Sequence, residues 1–296
     1  MTASVIIPTL NGASRITTLL KALEMQQQKP IEIIVVVDGS TDGTVERLQS
    51  LPSDLKLKII ETPQGGRAKA RNAGGRVAEG DVLVFYDDDM EPATDSISKH
   101  VNFHQSYNGI VSGYQKDVAC AASPDIRKYK AHIAESWFNK YSPGISKLEP
   151  SQLFFTSANC SIQRQLFDTL GGFDERLTDA EDFDLAVRAQ EAGHSVFFDK
   201  SNVAIHHDNI TAAKYIERQR AYARAHAGLR QLHPNRFVNQ IPVNIFKRVF
   251  YSLFAFPIWV IGIDRGWFLS LPRGLRYRFY SIVIYSLSQL YSNIKL

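Results

Sequence analysis

The chain has 296 residues, 44% of them apolar and 22% charged, a composition that excludes a disordered or collagen-like protein. The net charge of +4 is unevenly distributed, because residues 234–296 carry eight basic side chains and one acidic side chain, whereas the rest of the chain is slightly acidic. A segregated basic segment is typical of proteins that meet a polyanionic partner.

The first third of the chain alternates strand and helix patterns. Its clearest strand contains the run Ile-Ile-Val-Val-Val, which is typical of a parallel sheet covered on both faces. The pattern predicts strands at 3–8, 32–38, 55–61 and 81–86, and helices at 13–28, from about 42 to 51, and at 67–78. This order indicates a doubly wound α/β fold with a mostly parallel sheet.

The middle of the chain is less regular. Strands are predicted at 109–117, 153–158, 195–198 and 203–207. Helices are predicted at 126–139, 181–192 and 212–232, and the last of these is long and basic.

The composition of the chain changes after Pro234. Residues 249–263 and 279–291 are uncharged, aromatic and flanked by Arg and Lys. Each stretch is shorter than the ~20 residues that a membrane-spanning helix needs. The pattern favours amphipathic helices in a membrane interface, with a core or oligomer-interface helix and a true span as alternatives. We therefore expect a globular domain at 1–233 and a basic, aromatic helical region at 234–296.

Polar side chains follow each strand of the predicted parallel sheet, where ligands of open α/β sheets bind. They are Thr9 and Asn11 after the first strand, Asp38 after the second, Arg67 and Arg71 after the third, and Asp87, Asp88 and Asp89 after the fourth. The sequence thus predicts a binding site at one edge of the sheet.

The three adjacent carboxylates Asp87, Asp88 and Asp89 are the strongest chemical signal. Neighbouring carboxylates raise one another's pKa, and a divalent cation removes that conflict. Mg²⁺ or Mn²⁺ typically takes one or two carboxylates and completes its shell with phosphates and water. The alternative is a solvated acidic loop.

The other candidates each have a plainer interpretation. Arg67 and Arg71 lie in a glycine-rich helix entry, which suits phosphate but also an ordinary helix start. Asp38 could contact a base or ribose, or cap backbone amides.

Two pairs lie later in the chain. Glu181 and Asp182 open a helix, where acids are favoured in any case, and Asp182 is a candidate general base. His206 and His207 follow a short strand, and imidazole is a common metal ligand.

Taken in order, these segments resemble inverting glycosyltransferases of family 2, which have the GT-A fold. The resemblance covers about residues 3–210 and rests on SVIIPTLNG at 4–12, EIIVVVDGSTDGT at 32–44, GGRAKARNAG at 65–74, GDVLVFYDDDMEP at 80–92, TSANCSIQRQLFDTLGGFDERLTDAEDFDLAVR at 156–188 and VAIHH at 203–207. It implies a Rossmann-like nucleotide-sugar-binding domain over 1–233.

The resemblance also implies roles for the candidate residues. The donor nucleotide would be bound by Thr9, Asn11, Asp38, Arg67, Arg71, Asp87 and Asp88. A Mn²⁺ or Mg²⁺ ion would be bound by Asp89, with Asp87 and one of His206 and His207 as further ligands. Asp182 would be the general base, supported by Glu181, with Ser157, Ala158 and Asn159 on the acceptor side.

The implied reaction moves a sugar from a nucleotide-diphospho-sugar donor to an acceptor hydroxyl with inversion. The expected acceptor is a glycan or lipid-linked molecule of cell-envelope polysaccharide or glycolipid synthesis. The basic region would then meet an anionic membrane surface rather than nucleic acid.

Two cysteines and no signal-peptide pattern fit a cytoplasmic protein, peripheral at the cytoplasmic membrane face. One alternative function is a sugar nucleotidyltransferase, although residues 9–12 lack its glycine- and arginine-rich loop. Another is a catalytically degenerate, membrane-bound scaffold, which the acidic residues argue against.

Overall fold

The computed structural model describes residues 1–51, 56–234 and 244–296, and within these ranges nine strands form one sheet. The strands are β1 (Ala3–Thr9), β2 (Glu32–Asp38), β3 (Leu57–Thr62), β4 (Val82–Tyr86), β5 (Met90–Pro92), β6 (Gly109–Asp117), β7 (Ile145–Lys147), β8 (Asn159–Gln163) and β9 (Ser195–His206). Their order is β3-β2-β1-β4-β8-β6-β9-β5, with β7 paired to β9. The first four are parallel, and β8 joins β4 in antiparallel direction.

Eleven α-helices lie in the described ranges. They are α1 (Ile16–Glu24), α2 (Thr44–Ser50), α3 (Arg67–Val77), α4 (Ser96–Ser106), α5 (Asp125–Phe138), α6 (Arg164–Thr169), α7 (Glu181–Glu191), α8 (Ala212–Leu232), α9 (Ile245–Ser252), α10 (Pro257–Asp264) and α11 (Arg273–Tyr285). A short 3₁₀ helix occupies Pro150–Gln152, and α11 runs into a π-helical turn at Ser286–Leu290.

Helices cover both faces of the sheet, as the continuous β-branched run of β2 predicts. On one face, Ile34 and Val36 pack in a core with side chains of α3, α6 and α7. On the other, Ile33 and Val35 pack with side chains of α1 and α4. Helix α3 approaches closely because of Gly74, where a Cβ atom would lie 2.5 Å from Ile6 Cγ2.

Some predicted elements differ from the structure. The strand predicted at 153–158 is a loop, and the strand β8 begins only at Asn159, since the amide of Ser157 donates to the Asp182 side chain instead of a sheet partner. The two short strands predicted at 195–198 and 203–207 form the single strand β9. The apolar stretch 249–263 is divided between α9 and α10, and the second of these begins at Pro257. Leu55, the first residue of the strand predicted at 55–61, lies outside the described residues, as does Arg236 of the basic segment.

The described chain forms two compact units. One comprises Met1–Lys116 and Phe138–His207, and contains the sheet. The other comprises Asp117–Trp137 and Asp208–Leu296. The division therefore falls at 207/208 rather than at the predicted 233/234.

The long helix α8 explains this difference, because it is part of the core of the second unit. The buried guanidinium of Arg220 donates to the carbonyl oxygens of Leu287, at 2.9 Å, and Ile294, at 2.8 Å. Ile216 packs in the same core as Tyr280 and Leu287.

A buried histidine pair on α4 makes stability depend on pH. His100 contacts Ser161 Oγ and Asn159 Oδ1, and His104 contacts the same Ser161 hydroxyl. Burial lowers the pKa of His100 from 6.5 to about 4 and that of His104 to about 3. Between pH 6.5 and 4 the unfolded chain therefore binds protons that the folded chain does not.

We expect acidification to destabilise the fold, and each buried histidine to lower the free energy of unfolding by ~2 kcal/mol at pH 5 relative to pH 7 or above. Urea unfolding at pH 7.5 and pH 5 measures this loss. In His104→Gln, the decrease in the free energy of unfolding between the two pH values should be ~2 kcal/mol smaller than in wild type. An equal loss in wild type and variant would contradict the assignment.

Candidate active site at the carboxyl edge of the sheet

The candidate site is built on the acidic turn that follows β4. The turn is closed by a backbone bond from the Met90 amide to the Asp87 carbonyl, 3.1 Å long, and the Asp87 amide donates to the carbonyl of Ala158 at 3.3 Å. This geometry sends the three adjacent carboxylates to three different sets of partners.

Asp87 is paired with Arg71. Nη2 of Arg71 lies 2.7 Å from Oδ1 of Asp87. Burial alone would raise the pKa of Asp87, but the guanidinium groups of Arg71 and Arg67 hold that pKa below its ordinary value. Asp87 is therefore a carboxylate with its negative charge largely balanced by arginine.

Asp88 is held by a residue that the sequence analysis missed. Arg15 donates through Nε and Nη2 to the two oxygens of Asp88, at 3.1 and 2.9 Å, and the Thr9 hydroxyl donates at 2.6 Å. Burial nevertheless raises the pKa of Asp88, with these donors acting in the opposite direction. No sequence signal marks Arg15, which lies just before an ordinary amphipathic helix.

The side chains of Thr9 and Asp88 lie so close to residue 12 that this position requires glycine. A Cβ atom at position 12 would lie 2.0 Å from Thr9 Oγ1 and 2.6 Å from Asp88 Oδ2. Any larger residue would displace Thr9 or Asp88, so the glycine keeps the loop after β1 against the acidic turn.

Asp89 lies beside one of the two predicted histidines. Its Oδ2 is 3.3 Å from Nε2 of His206, the last residue of β9. The other nitrogen of His206, Nδ1, is 2.9 Å from Gln115 Nε2, a contact that sequence reasoning also missed. His207 instead contacts Glu91 at 2.5 Å, with both side chains more than two-fifths exposed.

Asp89 and His206 form a donor pair that suits a divalent cation. Carboxylate and imidazole are both ligands for Mn²⁺, and such ions complete their shells with phosphate oxygens and water. In the described part of the chain, no group of three or more His, Cys, Asp or Glu side chains is arranged to hold a metal by itself.

Arg71 joins the acidic turn to the start of α7. Its side chain is 1% exposed, and Nη1 donates to Glu181 Oε1 at 2.6 Å while Nη2 donates to Asp87. This differs from the predicted donor contact, because the guanidinium is enclosed between two carboxylates. Arg67, one helical turn earlier, is exposed at the beginning of α3.

Asp182 is held in place by backbone amides. Its Oδ2 accepts from Ser157 N at 3.1 Å and its Oδ1 from Phe183 N at 2.8 Å. Burial raises the pKa of Asp182 to about 6. The adjacent charge of Glu181 also raises this pKa, whereas Arg71 lowers it. A carboxyl group with this pKa can exchange protons near neutral pH.

The backbone at the start of α7 separates the two acidic side chains. Ala180 has φ +61°, a left-handed conformation that is uncommon outside glycine. Glu181 is buried against Arg71, whereas Asp182 is partly exposed. Such local strain persists where surrounding contacts fix the chain.

Asp38 and Asn11 fix the loops around this edge. Asp38 accepts from the amides of Gly65 and Gly66 at 2.7 and 2.8 Å, one on each carboxylate oxygen. Asn11 accepts from Thr41 N at 2.9 Å and adopts φ +51°. Both residues lie where the sequence places them, and their contacts to a donor stay predictions.

Comparison with known proteins identifies the family of this chain. The family model described as glycosyl transferase family 2 matches residues 4–171. An uncharacterized glycosyltransferase of Bacillus subtilis, YfnE, is 27% identical over 268 residues, covering 75% of this chain and 68% of the relative. The O-antigen chain rhamnosyltransferase RfbN of Salmonella typhimurium is 28% identical over 224 residues, covering 74% and 70%.

A solved structure shares the fold. The mannosyltransferase PcManGT of Pyrobaculum calidifontis, solved in complex with GDP-Man and Mn²⁺, superposes with a TM-score of 0.62 at 22% identity. The superposition covers 99% of this chain and 88% of that one.

Removal of Arg71 should destabilise the protein strongly. Arg71→Ala leaves the buried carboxylate of Glu181 without its cation, a loss that costs ~3–5 kcal/mol. Urea unfolding measures this change in the free energy of unfolding. Lys69→Ala, an exposed basic residue on the same helix, is the matched control and should change stability by only ~0.5 kcal/mol. Equal losses in both variants would show that the buried bridge is not the cause.

Proposed function

The chain belongs to glycosyl transferase family 2, and from this membership we propose that it transfers a sugar from a nucleotide-diphospho-sugar to an acceptor hydroxyl with inversion at the anomeric carbon. The chain is a glycosyltransferase with the GT-A fold, which argues against a sugar nucleotidyltransferase. The observation that carries the proposed mechanism is the Arg71 bridge, because it ties the acidic turn to the helix that bears Asp182.

The proposed donor site lies at the carboxyl edge of β1, β2 and β4. Asp38 would contact the base or ribose through Oδ2, which retains a further lone pair after binding the Gly66 amide, whereas Oδ1 accepts from Gly65 N and the Thr62 hydroxyl. Arg67 would contact the diphosphate from the exposed start of α3, where backbone amides also favour anions. Arg71 has a positioning role in this proposal instead of a direct donor contact.

We propose that Asp89 and His206 hold a divalent cation, Mn²⁺ or Mg²⁺, together with the donor diphosphate. Asp87 and Asp88 are each engaged by arginine, and His207 is turned to Glu91. The relative solved with GDP-Man and Mn²⁺ supports a metal of this class. The ion would neutralise the charge that develops on the leaving diphosphate.

Asp182 is the proposed general base. In its ionised form it would accept the proton of the acceptor hydroxyl while that oxygen attacks the anomeric carbon and the nucleoside diphosphate leaves. Burial and Glu181 raise the proton affinity of Asp182, which makes it a stronger base than an exposed aspartate.

The proposed acceptor is a cell-envelope glycan or a lipid-linked glycan at the cytoplasmic face of the membrane. Support comes from the name of RfbN, an O-antigen chain rhamnosyltransferase, and from the basic, aromatic composition of residues 234–296. The expectation that nucleic acid is not a partner stays a prediction.

Donor binding tests the metal pair. Calorimetry with a panel of UDP-, GDP- and dTDP-sugars should find one nucleotide class whose binding is strengthened by Mn²⁺. Asp89→Ala and His206→Ala should each weaken that metal-dependent binding at least ~10-fold, as loss of a metal ligand does. His207→Ala is the matched control and should bind as wild type. A loss in His207→Ala equal to that in His206→Ala would refute the assignment.

The pH profile tests the base. Donor turnover should increase with pH through about 6, because protonated Asp182 cannot accept a proton. Glu181→Gln should move this acid limb to lower pH by removing the neighbouring negative charge. Asp182→Asn should lower kcat by ~10²–10⁴-fold with donor affinity retained. Wild-type kcat in Asp182→Asn would remove Asp182 from the role.

A further inference from the structure

The second compact unit exposes many large apolar side chains on α9 and α10, on the segments that follow each of these helices, and at the start of α11. Phe246 is 81% exposed. We define the apolar surface as Phe246, Val249, Leu253, Phe256, Trp267 and Leu275, each of which is at least half exposed. Exposed apolar side chains scattered singly are ordinary, whereas six within residues 246–275 are more than that, and large apolar patches mark interaction sites.

The exposure has a structural origin, because the opposite side of α9 is attached to the rest of the unit. The Tyr251 carbonyl accepts from Ser286 Oγ at 2.6 Å, and the Arg248 carbonyl accepts from Tyr291 Oη at 2.8 Å. In α10, Val260 and Ile263 are buried in the core of the unit. Helix α9 is thus held on one side and open on the other, whereas α10 is apolar on both its buried side and its exposed side, which carries Ile258 and Ile261.

Positive charge flanks the apolar surface. Exposed basic side chains lie on or next to its elements, at Lys247, Arg248, Arg265, Arg273 and Arg278. The single acid of the region, Asp264, accepts from the Ala212 amide at 2.6 Å and so caps the start of α8. The surroundings of the surface therefore attract anions.

We infer that this apolar surface docks the protein on an anionic lipid bilayer. Apolar and aromatic side chains would enter the headgroup boundary while the flanking Arg and Lys contact lipid phosphates. The inference rests on the proposed function, since it supplies the surface for the membrane placement proposed above. A second copy of the chain fits less well, because a twofold interface here would bring two basic surfaces together.

The helix geometry favours docking in the plane of the membrane. Each of α9 and α10 has eight residues, about 12 Å of helix, against a hydrocarbon core of ~30 Å. Among the described residues, no single helix is long and apolar enough to cross a bilayer. The α9–α10 pair passes that test by length and composition, with a bend of 56° between its helices.

Sedimentation of the full chain with vesicles tests the inference. We expect binding to vesicles of phosphatidylcholine with 30% phosphatidylglycerol, and at least tenfold weaker binding to pure phosphatidylcholine. Phe246→Ser/Leu253→Ser should weaken binding to the anionic vesicles at least tenfold. Arg265→Gln/Arg273→Gln should weaken binding and reduce its dependence on salt. Met25→Ser removes an exposed apolar side chain from the sheet unit and should bind as wild type.

Two results would overturn the inference. One is sedimentation of Phe246→Ser/Leu253→Ser equal to that of wild type. The other is a change from dimer to monomer in this variant, measured by light scattering, with vesicle binding retained, which would assign the surface to a second copy. Nucleotide-sugar binding by calorimetry should be the same in all these variants, so failure of the docking surface is distinguishable from failure of the proposed function.

Discussion

The buried guanidinium of Arg71 is the interaction on which the candidate site depends. It lies between Asp87, at the end of a central strand, and Glu181, at the start of a helix that comes much later in the chain. Isolated in the interior, each charge would be costly, and together they compensate one another. The bridge joins the acidic turn to the start of the helix that bears Asp182, so that both ends of the candidate site share a single support.

The same principle of charge compensation gives the three adjacent carboxylates different chemistry. Arg71 balances Asp87, and Arg15 with Thr9 holds Asp88. Asp89 is the member that faces an imidazole, His206. An acidic triplet therefore need not bind a metal with all its members. Its strand fixes the direction of each side chain, and neighbouring arginines engage Asp87 and Asp88, which is why Asp89 is the carboxylate that we propose as a metal ligand.

Local patterns were sufficient for much of the fold, and they select the residues that the structure brings together at the candidate site. The β-branched run of β2 and the long helix α8 have the predicted bounds because burial or helix periodicity is continuous along them. The predicted strand at 153–158 failed because its Ser157 amide binds Asp182, which is a tertiary contact. Arg71 was interpreted as a phosphate contact since its partner Glu181 lies 110 residues away. The domain boundary at 233/234 missed the attachment of α8, for which Arg220 had no local signal.

The sequence separations within the Arg71 bridge have a consequence for how the chain matures. Arg71 and Asp87 are 16 residues apart, whereas Glu181 is 110 residues from the same arginine. During synthesis the short pair can therefore close long before the distant carboxylate has been made, and closure of the longer loop comes late. A nascent chain that ends at residue 171, where the family match ends, carries the whole acidic turn but lacks the second carboxylate that Arg71 binds. The bridge thus waits for Glu181, and the strand β9, which ends with His206, follows it in the chain.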